Sequence, residues 1–190
     1  LADRLWPDRA DRVPSALRLG LLVLAGTALL TLSAKINVPL PYVPMTMQTL
    51  VVLMIGAAYG ARLGLATVLA YLAEGALGLP VFAGPVGGIA YMMGGTGGYL
   101  AGFAVAAFVA GWMCERGPNS VLRMFVVMAA GHVIIVAFGF AWLAFGLHLG
   151  AHKAWLVGVV PFIAGSVIKS LLGALLMSAL WSAADRTASR

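Results

Sequence analysis

Residues 35–49 read KINVPLPYVPMTMQT and lie between two runs of almost unbroken apolar residues. Pro39, Pro41 and Pro44 lack a backbone donor and push the residue before each toward extended geometry, so the stretch is not expected to be helical. Irregular backbone beside lipid has two stable solutions. It lies in water, or it is buried against protein around a cavity. The composition of the flanks makes the question pressing. Of 190 residues, 62% are hydrophobic and 9% charged, whereas a soluble domain carries about 25% charged residues. The chain reads as an integral membrane protein.

Outward from that stretch, a span needs about 20 apolar residues, fewer where flanking side chains snorkel or the bilayer thins. Six segments qualify, at about 16–34, 45–60, 63–79, 96–114, 121–147 and 154–184. The expectation is an all-α polytopic membrane protein of six transmembrane helices. One transmembrane domain covers 16–184, between a polar tail at 1–15 and a short tail at 185–190. The run Leu19–Ala34 lacks a cleavage-like end and is expected to be a retained helix rather than a secretory signal. Pro161 fits the first turn of the last helix, which leaves 151–160 as a partly apolar lead-in at the interface. A glycine-rich loop, PVFAGPVGGIAYMMGGTGG at 80–98, precedes the fourth segment. It lacks the GK[ST] ending of a phosphate-binding loop.

The net charge of +6 comes from residues at segment ends, with no basic stripe of the kind nucleic acid requires. With six spans both termini share a side. That side holds Arg4, Arg9, Arg12, Arg18, Arg62, Arg116, Arg123, Arg186 and Arg190, against Lys35 and Lys153 opposite. The positive-inside rule then puts both termini in the cytoplasm and both structured loops outside. The small-residue pairs Ala16/Gly20 and Gly98/Gly102 suit close helix packing inside the bundle. Cys114 is the single cysteine, so neither an internal disulfide nor a cysteine metal cluster is available.

Lys169 is the basic residue inside a span. A lysine at a helix centre in lipid costs roughly 2.5–3.5 kcal/mol, so it is expected to face protein. Spacing puts Phe162, Ser166, Lys169 and Gly173 on one helix face. That face suits a small, partly apolar anion. The competing arrangement is a structural ion pair with Glu74. Gln48, with Thr46 and Thr49, opens the second helix, where its amide serves either as ligand contact or as polar capping. Tyr91 and Tyr99 flank the glycine stretch as contacts or as interfacial aromatics. His132 has no partner at metal-ligand spacing and reads as a hydrogen-bonded interior histidine. Three functions compete on these residues. They are ligand capture, an intramembrane enzyme using Ser166 and Lys169 as nucleophile and base, and a packing subunit without a ligand.

The segments KINVPLPYVPMTMQTLVVLMIGAAYGARLG, YLAEGALGLPVFAGPVGG, GGTGGYLAGF and PFIAGSVIKSLLGALL closely resemble the BioY family of biotin transporters, over about residues 15–180. That family is the substrate-binding S component of energy-coupling-factor (ECF) vitamin importers. The resemblance implies a six-helix S-component bundle in the bacterial cytoplasmic membrane. It implies biotin bound near the outer face under the first loop, with no cofactor, and the lysine of the last-helix motif falling on Lys169. It also implies a membrane coupling protein and an ATPase pair as partners, although some members act without them, and it leaves room for a homo-oligomer. The ligand-contacting set expected here is Lys169, Ser166, Gln48, Thr46, Phe82, Gly84, Tyr91 and Phe162. Two departures stand out. Ser166 occupies the aspartate position of the family's PGDxxK pattern, and Gly95 the proline position of GPTGGY.

Overall fold

The computed structural model describes residues 15–117 and 120–188. The expected tail at 1–15 therefore falls outside the described residues except for Ser15, whereas 185–188 of the expected tail at 185–190 continue the last helix. Helix α1 spans Ser15–Lys35. It ends where Asn37 Nδ2 donates to the carbonyls of Ala34, at 3.1 Å, and Lys35, at 3.2 Å. Those are terminal carbonyls that the helix itself leaves unbonded. The proline stretch is then ordered by a two-stranded antiparallel ladder, β1 Asn37–Val38 and β2 Met45–Thr46, with Asn37 opposite Thr46 and Val38 opposite Met45. The sequence predicts an all-α bundle with a non-helical loop here, and the loop adds a short ladder to it. Prolines bar a ladder bond only at their own nitrogens, which here lie in the turn, so the four residues outside it pair.

Helix α2, Gln48–Tyr59, and helix α3, Ala61–Ala76, are joined through Gly60 alone, at φ +85°. A Cβ at Gly60 would stand 2.6 Å from Glu115 Oε1. That same carboxylate oxygen accepts from the amide of Ala61 at 2.8 Å and caps α3, an anion placed where the helix dipole favours it. The glycine-rich loop contains one helical turn, α4 Ile89–Met92. It is followed by α5, Gly97–Cys114, and α6, Val121–Ala141, which runs on into a wider π turn at Trp142–Gly146. The segment 154–184 divides near Pro161 as expected, and the lead-in at 151–160 is itself mostly helical. Helix α7, Ala151–Gly158, breaks at Val159, and α8, Val160–Ala188, carries Pro161 in its first turn, where a missing donor costs nothing.

Among the described residues, four helices are long and apolar enough to cross a membrane: Ala16–Lys35, Gly97–Cys114, Val121–Gly146 and Val160–Arg186. The other two segments form shorter helices of 12 and 16 residues. Helix α5 is central, packed on α2, α3 and α6, while α8 packs on α6 and α1 on α3. Glycine makes this closeness possible. A Cβ at Gly56 would come within 2.3 Å of the Ala107 carbonyl, and one at Gly111 within 2.4 Å of the Ala61 nitrogen. Gly98 and Gly102 pack on α6 as expected of an internal pair. Ala16 and Gly20 do not, because they lie on an exposed face where a Cβ at Gly20 would meet nothing within 4 Å. Cys114 is buried in the core.

Candidate functional site

At one end of the bundle the proline hairpin, the glycine-rich loop and the starts of α2, α5 and α8 enclose a cavity of about 40 Å³. Lys169, Ser166, Gln48, Thr46, Phe82, Tyr91 and Phe162 all line it, together with Thr49, Tyr99 and His132. Gly84 does not. It lies in a shallow outer depression with Asn37, Tyr42 and Gly95, where its carbonyl serves a structural bond described below.

Lys169 is 7% exposed, and its Nζ donates to the Thr46 carbonyl at 3.0 Å and to Thr49 Oγ1 at 2.9 Å. The ion pair with Glu74 is therefore not the arrangement adopted. The ammonium is held by oxygens that open α2, while Glu74 sits on α3. Nor does Lys169 donate to Ser166, so the nucleophile and base of a Ser–Lys enzyme are not paired. An ammonium has three donors. Two are spent on protein, and among the described residues lining the cavity Lys169 carries the only formal charge.

The opposite wall is aromatic. Phe82, 1% exposed, stacks on Tyr91 with centroids 4.9 Å apart and meets Tyr71 edge-on at 5.5 Å. Tyr91 lies in the loop, and burial raises its phenol above the ordinary tyrosine range, so it stays neutral at physiological pH. Gln48 is held by its side chain, Nε2 donating to the Tyr71 hydroxyl at 2.6 Å, and that hydroxyl donates to the Val81 carbonyl at 2.9 Å. Its amide oxygen and second N–H remain for other partners. The capping alternative holds for Thr46, whose Oγ1 accepts from the backbone N–H of Gln48 at 3.2 Å. Phe162 packs at a tilt on Tyr99, centroids 5.6 Å apart, and Tyr99 donates to the terminal carbonyl of α7 at Gly158, 2.6 Å away. Tyr99 thus joins the break between α7 and α8 to the cavity wall.

Three residues have roles that spacing did not reveal. Tyr71 orients Gln48; a tyrosine in mid-helix, with a hydroxyl needing a partner, was the available signal. His132 is the interior hydrogen-bonded residue expected, but it also reaches the cavity. Lys35, read as a loop charge, donates to the carbonyls of Pro80 and Phe82, each at 2.7 Å, and of Gly84 at 2.9 Å. Three carbonyls converge on one compact cation, and the end of α1 is thereby tied to the loop that carries Phe82.

The comparisons agree with this architecture. A "Biotin transporter BioY" of Thermotoga maritima is 40% identical over 157 residues, covering 82% of this chain and 92% of that one. Another of that name from Rhizobium etli is 42% identical over 142 residues, covering 70% and 75%. A crystal structure of the S-component for biotin from an ECF-type ABC transporter superposes with a TM-score of 0.78 over 88% of this chain and 92% of its own. At 24% identity it speaks for the fold. The family model of the BioY family matches residues 10–186, and the chain belongs to that family.

Proposed function

We propose that this chain captures biotin as a transporter subunit, binding it at the outer face and releasing it inside, with no enzymatic step of its own. The observation that carries the proposal is Lys169, which lines the cavity with two of its three donors spent on protein and, among the described residues there, is the only formal charge. Biotin brings a carboxylate for that cation and an apolar bicycle for the Phe82–Tyr91 wall. Its ureido group presents two donors and one acceptor, which complement the free amide positions of Gln48. Relatives named as biotin transporters support the same ligand.

Ligand pockets usually span about 300–1,000 Å³, so a cavity of about 40 Å³ is too small for the ligand as it stands. Entry then requires the hairpin and the glycine loop to part, with the prolines limiting the freedom lost on reclosure. Helices α2 and α3 rise only about 18 and 24 Å. With the flanking segments they complete the fifth and sixth crossings. The Lys and Arg asymmetry supports a bacterial cytoplasmic membrane protein with both termini on the cytoplasmic side. Energised uptake uses a membrane coupling protein and an ATPase pair, while binding itself needs neither nucleotide nor divalent metal.

The test is calorimetric titration of the purified protein with biotin and biotin methyl ester. One-to-one binding without ATP is expected. Lys169→Met should weaken the free acid by about 2–5 kcal/mol, or 30- to several-thousand-fold, as for loss of a desolvated charge partner. The ester should lose far less. Ser166→Ala should cost about 0.5–1.5 kcal/mol. No heat with micromolar biotin would overturn the proposal, and a Lys169→Met variant that binds both ligands as wild type does would overturn the role of Lys169.

A further inference from the structure

His132 is 3% exposed in the middle of α6, and both ring nitrogens are engaged. Nδ1 lies 2.9 Å from the Met128 carbonyl and 3.1 Å from Ser170 Oγ, and Nε2 lies 3.2 Å from Thr49 Oγ1. Thr49 Oγ1 is also the acceptor for Lys169 Nζ at 2.9 Å. One fixed end sets the tautomer. An ammonium only donates, so Thr49 accepts from Lys169 and keeps its own hydrogen for another partner. A carbonyl only accepts, so Nδ1 carries the ring hydrogen and gives it to Met128. In the neutral ring Nε2 is then bare and takes the Thr49 hydrogen.

This relay joins α2, α6 and α8. A tetrahedral ammonium with two N–H directions fixed has its third direction fixed as well. The Thr46 carbonyl is rigid backbone, but Thr49 Oγ1 is a rotor, and the partner that sets its rotation is His132. We propose that His132 is a positioning residue for carboxylate recognition, which acts through the Thr49 hydroxyl to hold the third N–H of Lys169 toward the ligand. The role rests on Lys169 being the carboxylate's partner, as proposed above. His132 then governs the preference for acid over ester, a property that helix packing alone does not supply.

The two ring nitrogens separate the roles by mutation. His132→Gln puts an amide oxygen near the Nε2 position and keeps an acceptor for Thr49. His132→Asn puts an amide N–H near Nδ1 and keeps the bond to Met128 without reaching Thr49. The measurement is the ratio of biotin to biotin methyl ester affinity in purified His132→Asn, His132→Gln, His132→Leu and Thr49→Val variants, with Lys169→Met alongside. His132→Asn, His132→Leu and Thr49→Val should each lower acid affinity about 3- to 10-fold, the worth of one hydrogen bond, with the ester changing less than about twofold. His132→Gln should restore the acid preference. In a Thr49→Val background His132→Asn should add nothing, because the two act on one rotor.

Rescue by Asn and not Gln, equal loss for both ligands, or unchanged acid affinity in His132→Asn and Thr49→Val would overturn the positioning role. If Lys169→Met weakens the acid alone while the His132 variants move both ligands together, the inference fails and the role of Lys169 stands. If Lys169→Met changes neither, both fall. Should His132→Leu not fold, the Asn and Thr49→Val arms decide.

Discussion

Replacing Lys35 by methionine keeps an unbranched apolar stem and removes a cation that bonds the carbonyls of Pro80, Phe82 and Gly84. The bonds to Pro80 and Gly84 are exposed, so water takes them over at about 0.5 kcal/mol each, the low end for a net hydrogen bond. The bond to Phe82 is partly buried, and leaving its carbonyl unpaired costs about 1–2 kcal/mol. Together the loss is about 2–3 kcal/mol, which shifts the ordered-to-disordered ratio of the 80–84 segment by about 30- to 150-fold. Apparent affinity falls by whatever part of that shift depletes the competent state. We expect biotin to bind at least about fivefold more weakly, with faster amide hydrogen exchange at Val81–Gly84. Lys35 bonds the loop that carries Phe82 and does not line the cavity with Lys169, so biotin and its methyl ester should weaken alike, unlike in Lys169→Met. Lys35→Arg keeps the charge but presents a planar fork to carbonyls that converge on a point, and should recover only part of the loss. Wild-type affinity together with wild-type exchange in Lys35→Met would refute the reasoning.

Gly111→Ala forces a methyl to within 2.4 Å of the Ala61 nitrogen, and backbone has no rotamer by which to yield. It should cost about 1–3 kcal/mol of stability in detergent, whereas Gly20→Ala, which meets nothing within 4 Å, should be neutral or stabilising. Equal melting temperatures for the two would show that α5 does not need the close approach. Pro41→Gly and Pro44→Gly should each weaken biotin by about 0.4–1 kcal/mol by loosening the hairpin before it closes. Titration in one detergent that finds both unchanged would show that the hairpin is not a lid.

Much of the architecture was legible because it depends on local chemistry. A run of about 20 apolar residues reads as a helix in lipid, since a helix satisfies its whole backbone within the one segment. Pro161 must begin a helix rather than interrupt one, and three prolines in six residues must break the chain between spans. The same local terms marked Lys169 as facing protein and put Phe162 and Ser166 beside it. Where local reading failed, a longer-range fact intervened. Gly20 has the spacing of a packed residue but no helix against it. Glu74 had the charge to meet Lys169 but stands on α3, away from the oxygens that hold it.

By itself, then, the sequence determined the solvent, the order of the helices, most of their ends and the family. Only the tertiary structure decided the contacts that make the site. Lys35 reaches carbonyls 45 to 49 residues away, and Thr49 meets His132 across 83 positions and Lys169 across 120. The helices are apolar on nearly every side, so no stripe in the pattern tells which face turns inward. That choice falls to close packing at glycines and to a few buried hydrogen bonds, whose partners are neighbours in space and not along the chain.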